Sequence, residues 1–228
     1  MSVHLQRELT RLKRQLLSLC AVVEEQVRMS VRALLDRDLQ LSHHVQDRDS
    51  KIDQMEVEVE EECLKILALY HPVAIDLRVV VSALKINNDL ERIGDLAVNI
   101  ARKVEGVLEI PHMETPFDFP GMWEKTQAML SDSMDALVNM NSALAHDVCV
   151  RDDEVDRMKH EIGAHVIEMI EHNPTRTRPL LRLLAASRNL ERIADLATDI
   201  AEDVIYMVEG RIIRHRAELQ GVVANDGE

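Results

Sequence analysis

Apolar residues recur along this chain every three to four positions. In residues 3–41 the stripe runs through Leu5, Leu9, Leu12, Leu16, Val23, Val27, Val31 and Leu34, the spacing of one face of an α-helix. The period returns over 49–69 through Ile52, Met55, Val59, Cys63 and Ile66, and again from Pro72, a favourable first-turn residue, to about residue 107. Three more segments with the same period cover 120–146, 152–172 and 175–218, with Pro174 and Pro179 blurring the start of the last. Breakers separate them: "YHP" at 70–72, "IPHMETPFDFPG" at 110–121 and "EHNPTRTRP" at 171–179, with softer breaks at 41–49 and 144–153. The pattern predicts six long helices.

The order repeats. Glu91, Arg92, Ile93, Asp95, Leu96, Ala97, Ile100 and Ala101 match Glu191, Arg192, Ile193, Asp195, Leu196, Ala197, Ile200 and Ala201 at an offset of 100 residues. "RDSKIDQM" at 48–55 matches "RDDEVDRM" at 151–158 at an offset of 103. Two matched patches in the same order imply a duplicated three-helix unit. The expected fold is all-α: two tandem, homologous three-helix bundles of antiparallel helices crossing near 20°. Residues 1–110 form the first repeat, 111–119 a Pro-rich linker, 120–218 the second repeat, and 219–228 a disordered tail. Both Phe residues lie in or beside the linker with Trp123 just after, and are expected to pin it to the bundle.

Composition narrows the chemistry. The 228 residues are 46% hydrophobic but 2% aromatic, with seven Gly and six Pro, so the core is aliphatic and helical rather than stranded. The formal charge is −14, from 41 acidic and 27 basic residues. Such a surface repels phosphodiester backbones, which argues against nucleic acid as a partner, and it suits cations. The three cysteines, Cys20, Cys63 and Cys149, show no Cys-x-x-Cys pair, so neither a disulfide framework nor a thiolate zinc site is expected. No leader-like N-terminus and no apolar run of membrane-spanning length appear; a soluble, cytoplasmic protein is expected. The basic stretches "RLKRQ" (11–15) and "RIIRHR" (211–216) are candidate contacts for an acidic partner or a membrane surface, although cations also suit a helix C-terminus.

The acidic residues are patterned. On a helical wheel Glu91, Asp95 and Asn99 lie within one stripe opposite Leu90, Ile93, Ala97, Ile100 and Val104, and Glu191, Asp195 and Asp199 do the same. Asp49 and Asp53 share a face that Glu56 and Glu60 extend, and Asp152 and Asp156 match them. Acids on an outward face are commonly only solvated, and Asp49 and Asp152 fall where an acid suits a helix start. Yet like charges at i, i+4 cost about 0.2–0.5 kcal/mol per pair, and the pairing recurs at 49/53, 91/95, 152/156 and 191/195. Asp53 and Glu91 stand 19 residues either side of Pro72, so antiparallel neighbours bring them level. Four carboxylates per copy then bracket a cation: Mg²⁺, Mn²⁺, Ca²⁺ or iron, or zinc with a histidine. His43 and His146 correspond at the 103 offset and are lesser candidates.

"HPVAIDLRVVVSALKINNDLERIGDLAVNIARK" (71–103), with "SRNLERIADLATDIAEDV" (187–204) as its second copy, resembles the signature region of the PhoU family of phosphate-signalling regulators. That resemblance implies multinuclear metal clusters on the helix surface. Carried onto this chain, the ligands are Asp49, Asp53, Glu91 and Asp95 in one site and Asp152, Asp156, Glu191 and Asp195 in the other, extended by Asn99 and Asp199. The metal it implies is iron, zinc, manganese or magnesium. It further implies a non-enzymatic, homodimeric negative regulator of phosphate uptake and the phosphate-starvation response. Its partners are the ATPase subunit of a phosphate ABC transporter and a sensor histidine kinase, through which alone it meets the membrane. Two departures stand out: Ala194 replaces the family's usual Gly, and Asp199 its usual Asn. A metal buffer, or a metal-dependent enzyme on a helical bundle, is the competing reading; no Glu-x-x-His accompanies the stripes and no Gly-rich nucleotide loop is present.

Overall fold

The computed structural model describes residues 3–108 and 117–213, and every described element is helical. Six long helices carry the fold: α1 (Val3–Asp36), α3 (Asp49–Tyr70), α4 (Ala74–Ala101), α6 (Phe119–Asn139), α7 (Ser142–His172) and α8 (Thr177–Glu209). Two short ones, α2 (Leu39–Asp47) and α5 (Val104–Leu108), and a 3-10 turn at Pro174–Arg176 complete the set among the described residues. α1, α3 and α4 pack together, as do α6, α7 and α8, and α4 lies along α8. One apolar cluster runs through both trios. The expected tail, 219–228, and most of the linker lie outside the described residues. Phe117 and Phe119 are buried, and Trp123 packs against the same core.

The boundaries differ from the sequence expectation in an orderly way. α1 stops at Asp36 rather than 41, because Arg37 adopts the left-handed conformation (φ 56°) and Asp38 then caps α2, accepting from the Leu41 N–H at 2.9 Å. In the second copy the stop is not at 144–153 but at the matching place. Met140 is left-handed (φ 50°), and Asn141 caps α7, accepting from the Leu144 N–H at 3.2 Å. Both pairs are related by the same offset of 103, so the duplication extends to the backbone. The polar stretch 144–153 continues the helix because Ala145 and Val148 stay buried while Arg151 ties the outer face to Asp132 (2.6 Å) and Asp147 (3.3 Å). Asp152 is therefore a mid-helix residue, whereas Asp49 opens α3. The third predicted helix is interrupted at Arg102–Lys103, after which α5 begins and packs against α8, α1 and α2.

Packing between the helix pairs is tuned by one small residue. A Cβ on Gly94 would stand 3.0 Å from Ile52 Cδ1 and 3.3 Å from its Cγ2, so the missing side chain lets α3 and α4 close together. In the second copy Ala194 is fully buried, and the residue matching Ile52 is Val155, one methylene smaller. At these matched positions the second copy thus carries one methyl more on the last helix and a shorter side chain on α7. The cysteines are structural: burial pushes the Cys63 and Cys149 thiols up to about 12.

This compensation is testable. Ile52→Val alone should cost about 1 kcal/mol. Placed on Gly94→Ala, which overpacks the contact, the same change should cost less or stabilise. Chemical denaturation of the double-mutant cycle measures it; strict additivity would mean the two side chains do not share this contact.

Candidate metal centre

The two acidic stripes lie where the wheel places them. Leu90, Ile93, Ala97 and Ile100 are wholly buried, which turns Asp95 to solvent and leaves Glu91 and Asn99 half-buried at its sides. α8 repeats this with Asp195 exposed and Glu191 and Asp199 half-buried. α3 and α7 then bring their own acids alongside.

In the second copy Asp156, Glu191 and Asp195 each offer a carboxylate oxygen, all within 4.8 Å of one another, close enough to share one ion. Asp152 adjoins them. Its carboxyl is raised by burial and by Asp156, while Thr198 holds it partly down. Asp195 is raised to about 7, first by burial and then by the charges of Glu191, Asp152, Asp156 and Asp199. The first copy is looser. Asp49 is raised by burial and by Asp53 and Asp95, and Glu91 by burial and by Asp95, Asp53, Glu56 and Asp49. These acids face one another, but they do not converge to a shared chelating distance. His43 and His146 stand apart from both clusters: His43 Nε2 lies 3.9 Å from Glu105 and His146 Nε2 3.2 Å from Glu209.

Several residues with a hand in these sites carry no signal in the acidic pattern. Gln26, fully buried on α1, donates its Nε2 to Asp49 Oδ1 at 3.3 Å, and its Oε1 has no hydrogen-bond partner. Asn87 donates to the Glu56 backbone carbonyl at 2.9 Å and to Glu56 Oε1 at 3.3 Å, with its own Oδ1 unpaired. A lone Gln between Val23 and Val27 in an apolar stripe was the available hint. Lys159 is the third: its ammonium lies 2.9 Å from Glu191, and its pKa is raised by that hydrogen bond and by the charges of Glu191, Asp156 and Asp195. At the 103 offset it occupies the place of Glu56.

The residues present fit a cation. The donors are carboxylate oxygens, the set that hard divalent ions prefer, and buried amide oxygens without partners stand beside the first cluster. In the second cluster a lysine ammonium already stands in for an ion. The two copies nevertheless differ. Where α1 supplies Gln26, α6 has Met129 at the matching place, and Thr198 stands where α4 has Val98.

The basic stretches are engaged within the chain. Arg11 lies 3.6 Å from Glu62, Lys13 donates to the Val138 carbonyl at 2.9 Å, and Arg211 lies 2.6 Å from Glu209. Residues 214–216 lie outside the described residues. Among the described residues no helix is long and apolar enough to cross a membrane.

Comparison with known proteins gives the same picture from outside. The PhoU domain family matches residues 16–104 and 119–204, one copy per helical trio. Among curated proteins, the phosphate-specific transport system accessory protein PhoU homolog of Pseudomonas putida is 34% identical, with 97% of this chain and 89% of that protein covered. Its counterpart from Pseudomonas aeruginosa is 35% identical, covering 91% and 86%. The crystal structure of PhoU from Pseudomonas aeruginosa superposes with a TM-score of 0.86 at 36% identity, over 90% of this chain and 99% of that one. The phosphate transport system regulatory protein PhoU from Streptococcus pneumoniae gives 0.83 at 26% identity, over 91% and 98%.

The crowding at Asp195 predicts a pH dependence. Its ordinary value is 3.8 and its folded value about 7, so between them the folded chain binds the extra proton. Stability from this group therefore falls as pH rises through that window. Solvent at the exposed edge of Asp195 keeps the effect modest. In metal-free protein, Asp195→Asn should raise the Tm by a few degrees at pH 8 and leave it nearly unchanged at pH 4. Equal shifts at both pH values in thermal denaturation would contradict the crowding.

Proposed function

The chain belongs to the PhoU family, and we propose that it is a non-catalytic negative regulator of phosphate uptake and of the phosphate-starvation response. In this reading it is a cytoplasmic, homodimeric adaptor. It carries phosphate status between the ATPase subunit of a phosphate ABC transporter and a sensor histidine kinase, and it meets the membrane only through them. The observation that carries the reading is the match of both helical copies to this family, together with relatives named as accessory and regulatory proteins of phosphate transport. The outward placement of Asp53, Asp95 and Asp195 supports it, since catalysis on a small substrate asks for an enclosing pocket.

The carboxylates are the regulator's cation sites: Asp49, Asp53, Glu91 and Asp95 on α3 and α4, and Asp152, Asp156, Glu191 and Asp195 on α7 and α8. Asn99 and Asp199 stand one turn further along. A bound divalent or transition ion supplies positive charge that relieves the repulsion within each cluster and ties the two helices together. The sites are unequal, because an ion entering the second must displace Lys159 from Glu191.

Metal analysis and calorimetry with Mg²⁺ and Mn²⁺ test the assignment. Asp95→Ala should remove the first site and Asp195→Ala the second; unchanged stoichiometry in the double variant refutes both. Lys159→Gln, which removes a competing charge, should tighten the second site by about tenfold and leave the first alone. For the regulator itself, deletion of the gene should raise phosphate-starvation gene expression in phosphate-rich medium. The chain should also co-purify with the transporter and the kinase. Normal repression in the deletion strain would count against the adaptor, whatever the metal result.

A further inference from the structure

One buried amide beside the first carboxylate cluster is only half used by the fold. Gln26, in α1, is fully buried. Its Nε2 donates to Asp49 Oδ1 at 3.3 Å, a long hydrogen bond, and its Oε1 has no hydrogen-bond partner. The oxygen and nitrogen of an amide share one carbon, so the unpaired Oε1 stands beside the cluster together with the bonded nitrogen. The other charges acting on Asp49 are those of Asp53 and Asp95, which with burial raise its carboxyl, and that of Arg102, which lowers it.

The packing does not require an amide at this place, and the duplication supplies the comparison. Ser30 and Ser133, related by the offset of 103, are both fully buried. Each donates to the carbonyl three residues back, Val27 or Leu130, at 2.8 Å. That shared bond aligns α1 with α6 and sets Met129 in the place of Gln26. Met129 is buried too, with an unbranched side chain and no amide to satisfy. A buried carbonyl without a partner costs free energy that an apolar side chain avoids. Asn87 carries the other unpaired amide oxygen near this cluster, and it has a structural explanation. Its Nδ2 donates to the Glu56 backbone carbonyl at 2.9 Å, which fixes the side chain. The Gln26 side chain is bonded to the Asp49 carboxylate instead.

We infer that Gln26 is a further ligand of the first cation site, a neutral oxygen donor delivered by α1. The inference rests on the carboxylate reading above and extends it to a third helix. Side-chain amide oxygens bind hard divalent ions alongside carboxylates. A neutral donor adds an oxygen without adding to the repulsion among Asp49, Asp53, Glu91 and Asp95. In the metal-free chain the donor end of the amide faces Asp49; a cation on that carboxylate attracts the acceptor end. α1 packs against both α3 and α4, so an ion held in this way ties all three helices of the first trio. The second site, with Met129 on α6, draws its donors from α7 and α8.

Calorimetry with Mn²⁺ tests it on the full chain, in the Asp195→Ala background where only the first site remains. Gln26→Met, which installs the residue of the matching position, should weaken Mn²⁺ binding about tenfold. Its Tm without metal should be unchanged or higher, because the unpaired carbonyl is gone. Gln26→Glu separates a ligand from a mere support of Asp49. A carboxylate oxygen on the ion tightens binding relative to the parent, whereas a support that has lost its N–H and faces Asp49 with like charge weakens it. In the Asp95→Ala background, where the second site remains, Gln26→Met should leave Mn²⁺ affinity as it was. Unchanged first-site affinity in Gln26→Met overturns the inference and leaves the carboxylate sites standing. Weakening by both Gln26 variants overturns it too, marking Gln26 as a structural partner of Asp49, as does equal weakening in the two backgrounds. Absence of saturable Mn²⁺ binding to the Asp195→Ala chain removes the carboxylate site itself, and the inference with it.

Discussion

The rotation of α4 and α8 about their own axes decides where their acidic stripes point, and an apolar seam sets that rotation. Leu90, Ile93, Ala97 and Ile100 on one helix and Leu190, Ile193, Ala197 and Ile200 on the other are wholly buried. Burying one large aliphatic side chain stabilises by about 1.5–3 kcal/mol, whereas an i, i+4 acid pair costs about 0.2–0.5 kcal/mol. Packing therefore wins by roughly an order of magnitude per helix, and the carboxylates are carried outward side by side despite their repulsion. α3 and α7 close onto these helices through Ile52 against Gly94 and the matching Val155 and Ala194. The repulsion then builds across two helices rather than one.

Much of this was legible because helical period and duplication are both linear properties of the text. The six long helices and the two acidic faces follow from spacing alone, and antiparallel neighbours about a tight turn put Asp53 level with Glu91. What escaped was local. Arg37 and Met140 end helices in the left-handed conformation although neither is Gly or Asn, the usual residues there, so composition gave no signal. The stretch 144–153 reads as polar, yet its polarity is confined to one face. Lys159, set against Glu56 at the 103 offset, was visible in the alignment. Its place within the acidic cluster required coordinates, since a lysine's reach spans several positions on a neighbouring helix.

Duplicated units invite the assumption of duplicated sites, and this chain departs from it residue by residue. Glu56 against Lys159 changes the local charge by two. The second cluster has three acids converging within 4.8 Å with an ammonium on one of them. The first has more acids, no lysine on them, and a wider arrangement. The amide of Gln26 and the hydroxyl of Thr198 come from different helices of their respective trios, so the groups beside Asp49 and Asp152 are not the same either. The copies share a backbone plan down to the residue that ends the first helix. They do not share a charge plan.

The same divergence explains how one net-acidic chain presents both signs at short range. Each half of the α4–α8 seam inherits the same apolar face, so substitutions beside that face are free to change charge without disturbing the core. At one end Asp89, Asp199, Glu202 and Asp203 surround Lys85 and Arg92; at the other the matching positions are Asn189, Asn99, Arg102 and Lys103. Within a Debye length of about 8 Å at physiological salt, a ligand meets these local groups rather than the overall −14. The local charge at the seam therefore depends on which end of it, and which face of its helices, is considered. That difference is written in a handful of side chains on a scaffold whose interior is indifferent to it.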